Sequence, residues 1–187
     1  IHSRGMKVII DGVFNHCGSF NKWLDREHIY SSSKEHYEPG AYESYSSPYH
    51  DFFKFYSDQW PDNNSYDGWW GHDTLNYEDS KTLEDYILGI AKKWVSAPYN
   101  VDGWRLDVAA DLGHSEEYNH YFWKRFRQAV KEANPQAIIL AENYGDSYNW
   151  LHGGEWDTIM NYDAFMEPVT WFLTGMQKHS DEFRQDM

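Results

Sequence analysis

Three apolar runs in this 187-residue sequence each end in a carboxylate. Val8-Ile9-Ile10 leads into Asp11, the stretch Val101-Asp102-Gly103-Trp104-Arg105-Leu106 into Asp107, and Ala137-Ile138-Ile139-Leu140-Ala141 into Glu142. The middle run also carries Arg105 two residues before its carboxylate. Residues two apart on a strand point to the same face, so the Arg105 guanidinium and the Asp107 carboxylate would leave the strand together. A guanidinium so placed hydrogen-bonds the carboxylate and keeps it ionised. An ionised, oriented carboxylate is what a covalent nucleophile requires. A buried Arg–Asp pair is also a common structural clamp, and on this stretch alone both readings stand. Three such strands in order weigh more than one.

These residues carry a family resemblance. Asp11-Gly12-Val13-Phe14-Asn15-His16, Gly103-Trp104-Arg105-Leu106-Asp107 and the strand-ending Glu142 resemble, in order and wording, three conserved regions of the α-amylase family of glycoside hydrolases. Those regions run D-x-V-x-N-H, G-x-R-x-D and a strand-ending E, and the first two match without exception. The resemblance spans essentially the whole chain and is strongest toward the neopullulanase, cyclomaltodextrinase and maltogenic amylase group. It implies Asp107 as the nucleophile and Glu142 as the general acid/base, with Arg105 keeping Asp107 ionised. Retaining hydrolysis by such a pair needs carboxyl groups about 5–5.5 Å apart, and adjacent strand ends lie about 4.7–4.9 Å apart. Glu142 would need a raised pKa, which burial beside the Asp107 charge would supply.

The same resemblance places His16 on the sugar whose anomeric carbon is attacked; the alternative is a satisfied loop histidine. Asp11 and Asn15 read as architectural, and Asn15 is also implied as a ligand for Ca2+, the remaining ligands coming from elsewhere. Asp111, four residues after Asp107, is implied on the acceptor side of the cleft, with a solvated loop aspartate as the alternative. Tyr144, Trp150 and His152 follow Glu142 closely enough to contact acceptor sugars. Trp104 reads as packing within the barrel wall. No organic cofactor is implied.

The totals set outer bounds. A net charge of −14 argues against a nucleic-acid partner, because phosphate binding rests on a surplus of lysine and arginine. No apolar run approaches the roughly 18 residues of a membrane span, so no membrane partner is expected. Aromatic residues make up 19% of the chain, enough for both a ring-rich core and flat rings lining a sugar groove. The single Cys17 forms no internal disulfide. The chain reads as an internal stretch of a longer protein, beginning at Ile1 near a helix end capped by Gly5. A targeting signal is therefore not expected at its start.

Strand and helix patterns alternate along the chain. Lys7–Asp11 predicts a strand covered on both faces, followed by a loop over Phe14–Gly18. Residues 19–78 are rich in Ser, Tyr, Asp, Asn and Gly, as in Tyr30-Ser31-Ser32-Ser33, with aromatic patches such as Phe52-Phe53-Lys54-Phe55-Tyr56. Sixty residues is too long for an ordinary loop, and the segment reads as a small inserted subdomain. It ends at Trp69-Trp70-Gly71-His72-Asp73-Thr74-Leu75-Asn76-Tyr77, which is similar to a short family motif in Leu75-Asn76 and departs from it in His72-Asp73-Thr74. A helix follows over about residues 80–96, with Leu83, Ile87, Ile90, Ala91 and Trp94 on one face and Ala97-Pro98 ending it. A second helix over about 115–133 has Ser115 as its cap, Phe122, Phe126, Ala129, Val130 and Ala133 on its inner face, and Asn134-Pro135 at its end. Trp156–Met160 predicts a fourth strand. Residues 163–175 predict a last helix with Phe165, Val169, Phe172 and Leu173 inward.

Alternating strands and helices predict an α/β fold with a parallel sheet, and the resemblance makes it part of a (β/α)8 TIM barrel, about strands three to six. The expected organisation is the third barrel strand and its loop over 1–18, an inserted small domain B over 19–78, and strands four to six with helices over 79–187. The implied activity is retaining cleavage of α-1,4-glucosidic bonds in an α-glucan oligosaccharide or cyclodextrin. Alternatives are an α-amylase, α-glucosidase or transglycosylase of the same family, or an inactive carbohydrate-binding relative. A nucleotide-binding fold is excluded because no strand runs into a glycine-rich phosphate loop. The resemblance further implies a homodimer for the longer protein and a third catalytic Asp beyond Met187. The 187 residues alone are therefore expected to be unstable and inactive.

Overall fold

A computed structural model describes residues 1–30, 37–55, 68–69 and 72–174. The chain opens on a single 3-10 turn, His2–Arg4, closed by Gly5 in the left-handed region at φ 73°, a conformation glycine adopts without steric cost. The first strand, β1, spans Ile9–Gly12, followed by β2 at His16–Gly18, β3 at Gly68–Trp69 and β4 at His72–Thr74. Helix α1 covers Lys81–Val95, strand β5 Gly103–Leu106, helix α2 Glu116–Ala133, strand β6 Ile138–Ala141 and strand β7 Thr158–Ile159. A π-helical turn, Tyr162–Met166, leads into helix α3, Glu167–Thr174.

Strands β1, β5, β6 and β7 form one parallel sheet in that order, so sequence neighbours are spatial neighbours. With α1 and α2 laid against it, this sheet is a segment of (β/α) barrel wall. Its register decides where chemistry can happen: Asp11 pairs with Arg105 across β1 and β5, and Arg105 with Leu140 across β5 and β6. The ladder continues past the strand ends, with Asp107 N–H donating to the Gly12 carbonyl (3.1 Å) and Glu142 N–H to the Leu106 carbonyl (2.8 Å). Gly103 is required by close approach, since a Cβ there would lie 2.4 Å from the Ile138 carbonyl oxygen.

Both long helices start on a serine cap, Ser115 as expected and Ser80 in addition. Ser80 accepts from the Leu83 amide and Ser115 from the Tyr118 amide, each satisfying one of the orphan donors of a first turn. Helix α1 buries Leu83, Glu84, Ile87, Ala91 and Val95. The expected face is rotated slightly, because Val95 turns inward while Trp94 stays half-exposed against Tyr99. Helix α2 buries Asn119, Phe122, Trp123, Phe126 and Val130. Trp123 joins that face because its indole N–H reaches the Ala109 carbonyl at 2.7 Å. The buried Glu84 pairs with Arg125 and accepts from Tyr118 Oη at 3.0 Å, tying α1 to α2. Trp104 packs in the wall as expected, with its indole N–H on the Ala91 carbonyl (3.2 Å) and Phe14 and Phe126 against it.

The residues after β1 form a strand where a loop was expected. β2 pairs with β4, and β4 with β3, in a separate antiparallel sheet. Around it Leu24, Ala41, Tyr42, Phe52 and Phe53 are buried, and Phe53 bridges to Leu75. The Leu75-Asn76 pair ties this sheet back to the wall: the Leu75 amide donates to the Asn15 carbonyl, and the neighbouring Tyr77 hydroxyl donates to the Phe14 carbonyl. Ser31–Ser33, Tyr56 and Trp70-Gly71 lie outside the described residues.

Within the described residues β1 is the edge strand of the sheet, and Ile9 is 44% exposed. The last helix carries the periodic apolar stripe Phe165, Val169, Phe172 and Leu173, and among the described residues that stripe is exposed, Phe172 at 86%. Periodicity fixes which residues share a helix face; it does not fix what that face meets. Among the described residues no helix is long and apolar enough to cross a membrane.

The wall is locked below its rim by Asp157, whose carboxylate accepts from Arg127 (2.6 Å), Lys131 (2.6 Å) and the Ile139 amide (2.9 Å). Burial pushes the Asp157 carboxyl up, but these donors outweigh it and hold it below the usual carboxylate range. A depressed carboxylate stabilises the fold above its unfolded pKa of about 3.9 and loses that contribution as pH falls through its folded value. In the complete protein carrying this chain, Asp157→Asn should therefore destabilise at pH 7. Urea denaturation repeated below pH 3 should show the gap to wild type shrinking. Phe126→Ala should cost about 3–5 kcal/mol at both pH values.

Candidate active site

Each carboxylate of the three strand ends reaches one cation. Arg105 leaves β5 beside Asp107; its Nη1 lies 2.6 Å from Asp107 Oδ1 and 2.9 Å from Asp11 Oδ1, and its Nη2 lies 2.7 Å from Glu142 Oε2. The three carboxylates come from β1, β5 and β6, so the register of a parallel sheet has brought together groups up to 131 positions apart (11 to 142). Burial alone would lower the Arg105 pKa, but its bonds to Asp11 and Asp107 and the charge of Glu142 raise it further above its ordinary value. It stays charged throughout.

Glu142 is buried, at 7% exposure, and its carboxylate meets four donors. Oε2 faces Arg105 Nη2 (2.7 Å) and accepts from the Val108 amide (3.2 Å). Oε1 accepts from the hydroxyls of Tyr144 (2.9 Å) and Tyr162 (3.0 Å). The expected raised pKa is not what results. Burial does push Glu142 up, but the Val108 amide, the two tyrosine hydroxyls and the Arg105 charge together hold it below the usual value. Four donors on one carboxylate favour its ionised form.

His16 stands at the start of β2 with Nε2 4.0 Å from Asp107 Oδ2. Its Nδ1 lies 3.1 Å from Asn15 Oδ1. The Asn15 side-chain amide donates to the Asp111 carbonyl, so the stretch after β1 is stitched to the turn after β5. Both ends of the Asn15 side chain are thereby engaged. Among the described residues no three His, Cys, Asp or Glu side chains gather as a metal site. A calcium ion held in part by Asn15 would need further oxygen ligands from elsewhere in the protein, and no step below runs through a metal.

Asp111 sits in the 3-10 turn Ala109–Asp111. With Asn143, Asp146, His114 and Trp150 it lines an open cleft of about 410 Å³ between the turn after β5 and the residues after β6. Tyr144 is mostly exposed and stacks on Tyr162, centroids 4.8 Å apart and planes 7° from parallel. Trp150 is a core residue more than a sugar platform: it is buried between His120 (3.9 Å) and Trp156 (4.5 Å), both stacked on it. His152 is exposed and packs edge-on against Tyr148.

Two contributors were not anticipated. Tyr162 lies three residues beyond the end of β7; a search of the residues following each parallel strand would have reached it, since barrel chemistry gathers there. Val108 contributes its backbone amide, and it does so at φ 45°, ψ 47°. A β-branched residue in the left-handed region is strained, by about 1–3 kcal/mol. No side-chain pattern announces that.

The site is thus a segment of barrel wall whose adjacent strands end in carboxylates bridged by one guanidinium. The chain belongs to the α-amylase family: the model for "Alpha amylase, catalytic domain" matches residues 1–183. It is 35% identical over 190 residues to a cyclomaltodextrinase of Thermoanaerobacter pseudethanolicus, covering 97% of this chain and 29% of the relative. Identity to an intracellular maltogenic amylase of Bacillus subtilis is 36%, over 90% of this chain and 25% of the relative. Among solved structures, Ttha1563 from Thermus thermophilus superposes with a TM-score of 0.64 at 34% identity, covering 86% of this chain and 31% of that one. The chain thus spans less than a third of each of these relatives.

Replacing Arg105 should expose the repulsion it now offsets. Arg105→Leu leaves Asp11, Asp107 and Glu142 without their shared cation and should cost about 3–5 kcal/mol at pH 7. Protonating the carboxylates relieves that repulsion, so the loss measured by chemical denaturation should shrink toward pH 4.

Proposed function

We propose that the complete protein carrying this chain is a retaining α-glucan hydrolase that cleaves α-1,4-glucosidic bonds in starch-derived oligosaccharides or cyclodextrins. The observation that carries this reading is the single guanidinium bound to both Asp107 and Glu142 at the ends of adjacent parallel strands. Retention requires two carboxyl groups close enough for one to attack while the other protonates, and a shared guanidinium keeps them that close. Family membership supports the substrate class.

In the first step Asp107, ionised and oriented by Arg105, attacks the anomeric carbon. The glycosidic C–O bond breaks, and the departing oxygen takes a proton from Glu142. In the second step Glu142, now a carboxylate, removes a proton from water; the water oxygen bonds to the anomeric carbon and Asp107 is released. Inversion at each step gives net retention. His16, 4.0 Å from Asp107, is placed to donate to a hydroxyl of the sugar under attack. Asp111 and Tyr144 border the acceptor side, where they would meet the departing sugar or the incoming water. Residues 19–78, whose strands β3 and β4 pair with each other and with β2, serve as the inserted domain. Homodimerisation belongs to the same proposal and is read by sedimentation of the complete protein.

The test is reducing-sugar release by the complete protein from β-cyclodextrin, soluble starch and pullulan. Asp107→Asn and Glu142→Gln should each lower kcat by a factor on the order of 10⁴, with melting temperature little changed. The first-formed product should be the α-anomer by proton NMR. Cyclodextrin cleaved fastest places the enzyme with the cyclomaltodextrinases; variants as active as wild type sink the assignment of both carboxylates.

A further inference from the structure

We infer that Tyr162, stacked on Tyr144, is a positioning residue that makes Oε1 of Glu142 the oxygen carrying the catalytic proton. The inference rests on the acid/base role proposed for Glu142 and adds which atom holds the proton and what accommodates it.

The two oxygens of Glu142 differ in the kind of partner they meet. A carboxylate offers about four lone-pair sites; in Glu142 three accept hydrogen bonds, and Oε2 also faces the Arg105 guanidinium as an ion pair. On Oε2 the partners are an amide N–H and a guanidinium, groups with hydrogens and no accessible lone pair. A proton placed on Oε2 would face two donors and no acceptor. On Oε1 both partners are tyrosine hydroxyls, and a hydroxyl both donates and accepts, its hydrogen turning to suit. Oε1 can therefore gain a proton if one tyrosine turns its hydrogen away and accepts. The turned hydrogen of Tyr162 has somewhere to go, because its hydroxyl also reaches Met160 Sδ at 3.7 Å, a weak acceptor.

The near-parallel stack of the rings, 4.8 Å between centroids, keeps both hydroxyls on the same oxygen. Both phenols remain protonated in the working range: burial and the bond to Glu142 push Tyr144 and Tyr162 above the ordinary tyrosine value. They act by reorienting a hydrogen and lose none. The tyrosines thus serve each stage of the reaction, donating to Glu142 while it is the base and accepting from it until its proton passes to the departing oxygen.

The complete protein carrying Tyr162→Phe, which keeps the ring stack and deletes one hydroxyl, is assayed on β-cyclodextrin across the pH range beside wild type and Glu142→Gln. Losing a donor to the carboxylate raises the Glu142 pKa, so Glu142 stays protonated to higher pH. The basic limb of kcat/KM should move up by about 0.5–1 pH unit. At the optimum, kcat should fall about tenfold, with KM within about twofold. A sugar-contacting role alone would raise KM and leave the limb in place, and that result overturns the inference, as does a superimposable profile. Should Tyr162→Phe fail to fold, Tyr144→Phe, at a largely exposed position, is read by the same limb and decides. An active Glu142→Gln variant would sink the acid/base reading itself; an inert one with unmoved phenylalanine profiles sinks only the tyrosine role.

Discussion

Three negative charges converge on one guanidinium, and the rim of the sheet depends on that contact. Asp11, Asp107 and Glu142 could not share so small a space without Arg105 between them, since like charges at such separations repel strongly in a partly dry site. A planar guanidinium suits the task better than an ammonium would. Its nitrogens point in fixed directions, so each carboxylate is held in orientation as well as in charge state. The same contact that permits the fold to close at this point aligns the groups proposed to react.

The guanidinium is held in turn by what lies beneath it. Trp104, its neighbour on the opposite face of β5, is buried with its N–H satisfied by Ala91. Phe14 packs on Trp104 and on Phe126 of α2. The strand that carries Arg105 is consequently clamped between Phe14, two residues past β1, and the helix following β5. Asp157 repeats the device lower down, gathering two α2 cations and the β6 backbone. Sites assembled on strands and backed by packed aromatics hold their geometry more closely than sites on loops.

Glu142 shows the tension inherent in this design. Every feature that fixes its carboxylate also favours its ionised form, whereas an acid must carry a proton at the moment of reaction. Burial works the other way, and in this geometry the donors prevail. The strained Val108 amide belongs to the same account, since residues in sparsely populated backbone conformations persist where the surrounding contacts over-determine them. Here those contacts are the Glu142 oxygen and the Gly12 and Glu142 carbonyls that bind the amides on either side of Val108.

Much was legible in the residues themselves. Strand β5 and the pairing of Arg105 with Asp107 follow from period-two alternation, and α1 and α2 from caps and period-3.6 stripes. Asp11, Glu142 and His16 were reachable because short motifs survive in linear order. These are local properties, set by side-chain sterics and hydrogen bonding within a few residues. What required the tertiary structure was everything decided by register and by neighbours from afar. Arg105 reaches Asp11 and Glu142 only because β1, β5 and β6 align in one register. Tyr162 meets Glu142 only through the turn after β7, and Trp150 becomes core only because His120 and Trp156 close on both its faces. The depressed pKa of Glu142 follows from donors contributed by three separate segments, β5 with the turn after it and the stretches after β6 and β7. Sequence pattern determines what a segment can become; which long-range partner satisfies each charge and hydrogen bond is settled only when the segments pack.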